Sequence, residues 1–283
     1  MAVEKKWDWQ IENRTSWWGS SIVELWEYRH LAVGLVRRDF LLIYQQTILG
    51  PFWVLLQPVL TLVTYVLVFG KVVGMSTGDV PPALFYFAGI VLWNFFNDTF
   101  LGIAATFRDN AQIFSKVYFP RLIVPISRLS GHFFHFGIQL SLLLLVLGWY
   151  ILFRGLPVPS ASSLILVPVA ILLVGVISLG LGLLFSVITA KYRDMVHLIS
   201  MGVRLFMFLT PIIYPVDQVS ERWRWVVLLN PLTPLFELFR RALFGQGSVQ
   251  FSQLAYSGLF AGILLLAALL VFNKQGDKLI DIL

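Results

Sequence analysis

Five stretches of this chain run for about twenty residues or more with almost no charge: Phe52 to about Val73, Ala83 to about Thr106, Leu122 to Phe153, Leu164 to about Ala190, and Leu254 to Phe272. A helix crossing the hydrocarbon of a bilayer needs ~20 largely apolar residues. With no water there to take up free N–H and C=O groups, a chain so patterned has to close its hydrogen bonds within helices. A sixth stretch, Met195 to Tyr214, is apolar except for His197 and Arg204 and ends in Pro211 and Pro215. Charged residues make up 13% of the chain, about half the roughly 25% of a soluble domain. The expected fold is an all-α integral membrane protein with six transmembrane helices.

Six crossings put both termini on one side, and basic residues decide which. Fifteen of the 21 Lys and Arg fall on the side of the termini and six on the other. Short cytoplasmic loops carry the Lys/Arg excess, so both termini are expected in the cytoplasm. The exception is the last outer loop, with Arg222, Arg224, Arg240 and Arg241. The start does not read as a cleavable signal: Lys5 and Lys6 lead into Trp7, Asp8, Glu12 and Arg14 rather than an apolar core. The net charge of +6 is scattered between apolar runs, without the basic–aromatic clusters of a nucleic-acid interface. There is no cysteine, which excludes disulfides, thiolate metal sites and cysteine nucleophiles.

Three segments outside the long runs carry structure of their own. At ~100° per residue, Ile22, Leu25, Trp26, Ala32, Val33, Val36 and Phe40 share one side of a helix. Glu24, Glu27, His30, Arg37 and Arg38 share the other, and Arg29 intrudes on the apolar face. This fits an amphipathic helix lying in the membrane interface, or one packed on a soluble partner. In the last outer loop, Asn230-Pro231 and Thr233-Pro234 interrupt an otherwise apolar stretch, Trp225 to Phe244. Proline removes a backbone donor and disfavours helix at the residue before it. Two short half-helices are expected, a re-entrant pair suited to an outer gate at Asn230, Pro231 and Pro234. The third segment, Arg108 to Arg121, begins polar, has a short helical middle and stops at Pro120. It fits a small helix beneath the membrane that docks into a soluble partner, and equally an ordinary loop.

Polar residues inside the spans are few. Asn94, Asn97 and Asp98 sit together in the second. A carboxylate at that depth costs a few kcal/mol unless paired or wetted. It therefore belongs to a hydrophilic path or to a structural ion pair, such as Asp98 with Arg204. His132 and His135 share a helix face, but no Asp, Glu or Cys stands near them in sequence to complete a metal site. No glycine-rich phosphate loop, HExxH or GxSxG is present. No catalytic residue is assigned, and any nucleotide energy has to come from another chain. An embedded enzyme would need an acidic or histidine cluster at one membrane face. A secondary transporter would usually show repeated halves with helices broken near mid-bilayer. Neither pattern is found.

Taken in order, several motifs resemble the permease subunits of type-2 ABC exporters for O-antigen, capsule and teichoic-acid polymers. They include Leu25-Trp-Glu-Tyr-Arg29, Arg38-Asp39, Tyr44-Gln-Gln-Thr-Ile-Leu-Gly-Pro-Phe-Trp53 and Gln57-Pro58. Phe87-Ala-Gly-Ile-Val-Leu-Trp-Asn-Phe-Phe96, Asn110-Ala111 and Lys116-Val-Tyr-Phe-Pro-Arg121 follow. Lys191-Tyr-Arg-Asp194, Thr210-Pro-Ile-Ile-Tyr-Pro215, Asn230-Pro231, Phe239-Arg240 and Phe244-Gly245 complete the series. The tail departs from the pattern: Gly276 replaces an acidic residue and Leu279 an aromatic one, while Asp281 fits.

The resemblance implies one transmembrane domain over 1–283, with a cytoplasmic arm at 1–42, a six-span bundle at 52–272 and a tail at 273–283. It implies a bacterial inner-membrane permease for lipid-linked polysaccharide, with teichoic acid, another lipid or a drug as alternative cargo. It also implies two copies of the chain with two ATP-binding cassette subunits around a central conduit. ATP and Mg belong to the cassettes, so this chain is expected to bind no cofactor. Ile113, Phe114, Lys116, Val117 and Tyr118 would couple to the ATPase, braced by the 22–40 helix. Trp93, Phe96, Tyr65 and Phe136 would line the path, since aromatic rings stack on the C–H faces of sugars and tolerate sliding.

Overall fold

The computed structural model describes residues 22–114, 119–192, 194–247 and 249–280, and among them every regular element is helical. The chain opens with α1 (Ile22–Glu27) and α2 (Arg29–Tyr44), where one continuous helix over 22–40 is expected. The break falls at Tyr28, and α2 runs on to Tyr44. One side of the pair, through Leu25, Leu31, Ala32 and Leu35, packs on the bundle, while Val23, Trp26 and Val33 stay exposed.

Then come α3 (Trp53–Tyr65), which continues as a π-helical stretch over Val66–Val72, and α4 (Pro82–Ala104). Two short helices follow, α5 (Thr106–Asp109) and α6 (Ala111–Phe114). The long α7 (Ile123–Arg154), the one-turn α8 (Ala161–Leu164), α9 (Leu166–Lys191) and α10 (Met195–Leu209) come next. The series closes with α11 (Glu221–Leu229), α12 (Thr233–Phe244) and α13 (Phe251–Ile280).

Five segments are long and apolar enough to cross a membrane: Gly50–Val72, Pro82–Ala104, Ile123–Arg154, Ala161–Lys191 and Phe251–Gln275. The chain is an all-α, multi-pass membrane protein. The sixth apolar helix, α10, stops at Leu209 instead of Tyr214, because Thr210 precedes Pro211 and takes an extended conformation (ψ 136°). Its 15 residues rise about 22 Å at 1.5 Å each, short of a ~30 Å hydrocarbon core.

The spans are not equivalent. In its most apolar window α4 is 72% buried, whereas Gly50–Val72 is 11% buried. α4 is the axial helix, in contact with α3, α7, α9, α10 and α12. Its packing on α9 is close enough that a Cβ at Gly182 would come within 2.6 Å of Ile103. Without a hydrophobic drive between helices in lipid, small residues that let backbones approach supply the packing energy.

Two apolar cores result. The larger surrounds α4 and includes Phe87, Phe96, Phe236 and Phe239; the smaller lies at the end that carries α2, α5 and α6.

Candidate functional site

At the α2 end, three elements meet through charge. Asp39 on α2 takes two hydrogen bonds from its neighbour Arg38 (2.6 and 2.9 Å) and lies 3.2 Å from Nε of Arg128 on α7. The Arg38 guanidinium also donates to Oδ1 of Asn110, between α5 and α6, at 2.8 Å. Arg128 reaches Asp109 of α5 at 3.8 Å, and Arg108 pairs with the same carboxylate at 2.9 Å.

Asn110 is buried and donates back to the Thr106 carbonyl at 3.0 Å, so its carboxamide locks the turn as well as the helix contact. Beneath the charges lies an aromatic stack. Phe107 sits 5.2 Å from Phe272 of α13 and 5.4 Å from Phe114, which in turn stacks on Phe119 at 5.5 Å. The 106–114 turn is thus held from above by a hydrogen bond to α2 and an ion pair to α7, and from below by the Phe272 ring of α13. Displacing it has to displace all three helices.

Of the residues expected to couple, Ile113 is half-buried and Phe114 is buried in this stack; Lys116, Val117 and Tyr118 lie outside the described residues. Gln112 is the exposed residue of α6. The Arg38–Asp39–Arg128 junction was not foreseen. Its signal in the sequence is the Arg38-Asp39 pair ahead of the first apolar run and a lone arginine, Arg128, near the start of the third.

Further up the same face, Tyr44 at the end of α2 contacts His135 Nε2 through its hydroxyl at 3.3 Å. Burial first, and the Asp98 carboxylate second, raise the Tyr44 pKa above its ordinary value. Asp98 accepts a hydrogen bond from Asn97 at 2.9 Å and forms no ion pair with Arg204, which corrects the expected pairing. Although α4 and α10 touch, they meet through Trp93, Phe96 and Phe206, and Asp98 is met by the Asn97 carboxamide instead. Asn94 donates to Gln139 at 3.2 Å and ties α4 to α7.

Trp93, Phe96 and Phe136 are all buried within the single chain, while Tyr65 is half-buried. Trp93 and Phe96 lie 5.3 Å apart and each 6.3 Å from Phe206 of α10; Phe136 packs on Phe95 at 4.8 Å; Tyr65 meets Phe69 at 5.5 Å. All three belong to the larger core, but Trp93 and Phe96 share one cluster of rings with Phe206 and Phe136 another with Phe95.

At the opposite end, α11 and α12 are the two half-helices expected around Asn230-Pro231. Asn230 accepts from the Leu232 N–H and donates to Thr210 Oγ1, both at 2.9 Å, and Ser257 of α13 donates to the Pro231 carbonyl at 2.8 Å. Pro234 stands in the first turn of α12, where a missing N–H costs nothing.

The same helix carries a feature not foreseen. Arg240, 2% exposed, pairs with Glu237 at 3.3 Å, donates to the Ile212 carbonyl at 2.8 Å and lies 3.7 Å over the Phe85 ring. A Cβ at Gly89 would stand 2.8 Å from that carbonyl and 3.0 Å from the guanidinium, so this knot needs glycine there. The legible signal was a Glu and an Arg at i, i+3 in a helix whose one other charge is Arg241.

The model of the ABC-2 type transporter family matches residues 31–244 of the chain. An O-antigen export system permease protein, RfbA, of Klebsiella pneumoniae is 27% identical over 89% of this chain and 95% of its own length. A protein of the same name from Myxococcus xanthus is 28% identical over 90% of this chain and 96% of its own. The polysialic acid transport protein KpsM of Escherichia coli is 21% identical over 82% and 88% respectively.

Proposed function

The chain belongs to the ABC-2 type transporter family, and from that premise we propose that it is the membrane-spanning permease of an ATP-driven exporter for lipid-linked polysaccharide of the O-antigen kind. Relatives named for O-antigen export align over nearly their whole length, and the more distant one is named for another polysaccharide. Glycan export is their shared cargo chemistry. The single observation that carries the mechanism is the 106–114 turn, tied to α2 and α7 by Asn110 and Asp109.

The working unit is two copies of this chain with two ATP-binding cassette subunits, which hold ATP and Mg. The α2 end faces the cytoplasm, where the Lys/Arg excess belongs, and both termini lie there. ATP favours the closed arrangement of the cassettes, and its differential affinity for the two states supplies the energy of the cycle. Closure acts on the segment that includes Ile113, Phe114, Lys116, Val117 and Tyr118. The buried Phe114 anchors that segment, and the residues after it form the contact.

The charged junction passes the displacement to α2 and α7, and Phe107 passes it to α13. Tyr65 stands at the wall of the path. Trp93 and Phe96 form its second layer, and Phe136 supports them through Phe95. At the outer end, the break at Asn230 and Pro231, with Pro234 starting α12, lets the half-helices move as a gate without breaking a helical hydrogen-bond ladder.

The test is reconstitution. The chain is co-expressed with an ATPase encoded beside it, purified and placed in vesicles, with lipid-linked glycan as substrate. Equal amounts of both proteins and glycan-stimulated ATP hydrolysis are expected. Transport by this chain alone, or the absence of any ATPase partner, overturns the reading.

A further inference from the structure

A cleft of 160 Å³ lies beside the Arg240 knot, at the end of the bundle assigned above to the outer face. Three segments that are distant in sequence form it: the turn between α3 and α4, the turn between α10 and α11, and α12 with the residues that follow it. Its size falls well below the roughly 300–1,000 Å³ of pockets that enclose drug-sized ligands. It admits one small unit.

Its polar lining is mixed in sign and rich in planar groups. Asp217, Gln218 and Gln246 stand at it, with Thr77 below. The Thr77 hydroxyl donates to the Val80 carbonyl at 2.7 Å, which leaves its oxygen free to accept. Gln218 donates to the Ser76 carbonyl at 2.6 Å and keeps its own carbonyl oxygen. Gln246 has no hydrogen-bond partner among the described residues, although it is half-buried and packs over Gly78. Arg240, which also lines the cleft, has a buried Nε with no hydrogen-bond partner. Phe85 and Phe244 complete the wall with apolar surface.

Glu237 is paired with Arg240, so no unpaired charge of one sign dominates that would select a simple ion. A neutral ligand offering several hydroxyls and an apolar face meets this set: the carboxamides and Asp217 take the hydroxyls, and the phenyl groups take the C–H face. Such a ligand would give the Gln246 carboxamide, which has no partner among the described residues, hydrogen bonds that the chain does not supply.

We propose that this cleft binds one neutral pyranose unit of the exported glycan as it leaves the gate. The proposal rests on the permease reading and adds to it a sugar subsite on the outer face. Because the cleft joins α12 to the ends of α3 and α10, an occupant holds these three segments together and delays reclosure of the gate behind the polymer.

The chain has no cysteine, so a single introduced thiol reports without background. A Pro215→Cys variant of the permease–ATPase complex in vesicles, at a half-buried lining position to which no hydroxyl is assigned, is labelled with an impermeant maleimide. Neutral monosaccharides (glucose, galactose, mannose and N-acetylglucosamine) are tested in turn at tens of millimolar, with sorbitol as the control. Trp223→Cys on the exposed α11 serves as the reference position. At least one pyranose is expected to slow labelling several-fold at 215 and not at 223, with sorbitol inert. Equal labelling with and without every sugar overturns the cleft, as does equal slowing at 223. Failure of the complex to hydrolyse ATP in response to lipid-linked glycan overturns the permease reading instead, and is scored separately on the cysteine-free chain.

Discussion

The two ends of the bundle use the same chemistry, arginine against carboxylate, in opposite ways. At the α2 end, Asp39 is shared by Arg38 and Arg128, Asp109 by Arg108 and Arg128, and the group is partly exposed. At the α12 end, one pair is fully sequestered. Arg240 has a single carboxylate, one carbonyl and one ring. A shared, half-wet network can lose one contact and keep its shape, which suits a joint that moves. A dry pair cannot, because truncating one partner strands the other's charge out of water. On the function proposed above, the redundant network stands where force would enter and the brittle one where the gate would hinge.

The largest effect is expected from breaking the dry pair. Glu237→Ala should cost about 3–5 kcal/mol, the penalty for an uncompensated buried charge. A large drop in the thermal midpoint of the detergent-solubilised protein would register it. Glu237→Leu with Arg240→Met should recover most of that loss, since apolar replacements of similar volume often equal a buried pair. If the double variant is as unstable as the single one, the knot is not held by its charges.

Gly89→Ala is next, at about 1–3 kcal/mol, because the added methyl overpacks the contact between α4, Ile212 and Arg240. The same thermal scan reads it, and a neutral result would show that the approach of the two segments is loose.

At the other end the expected loss is of coupling more than of stability. Asp39→Asn and Arg128→Gln should each lower glycan export per ATP hydrolysed. Their combination should fall short of additivity by about 0.5–3 kcal/mol in a double-mutant cycle, as for residues in one network. Strict additivity would divide the junction into independent contacts. Last, Arg108→Ala removes an exposed pair with Asp109, and a change within about 0.5 kcal/mol is expected. A greater loss would mean that the network is drier than its exposure indicates.

Much of the architecture was readable in the chain. The five long apolar runs became helices, four within about two residues of the expected ends and the last running on to Ile280, because a continuous apolar run of this length closes its own backbone hydrogen bonds in hydrocarbon only as a helix. The break at Asn230-Pro231 and the early end of α10 at Thr210-Pro211 both follow from proline, although only the first was foreseen in place. Less was readable of the site. That Phe114, expected in the coupling segment, is buried against Phe107 and Phe119 was not legible. Trp93, Phe96 and Phe136 looked alike, yet they divide between two clusters of rings.

By itself, then, the sequence determined that this protein lies in a membrane and where its long apolar helices run, since those are matters of local hydropathy and backbone chemistry. The tertiary structure alone decided that α4 is the axis and that Asp39 meets Arg128. It also decided that Asp98 takes a carboxamide instead of Arg204 and that Arg240 is buried against Phe85. In lipid, a phenylalanine facing acyl chains and one facing a neighbouring helix lie in media of equal polarity. Hydropathy cannot distinguish them, and packing has to.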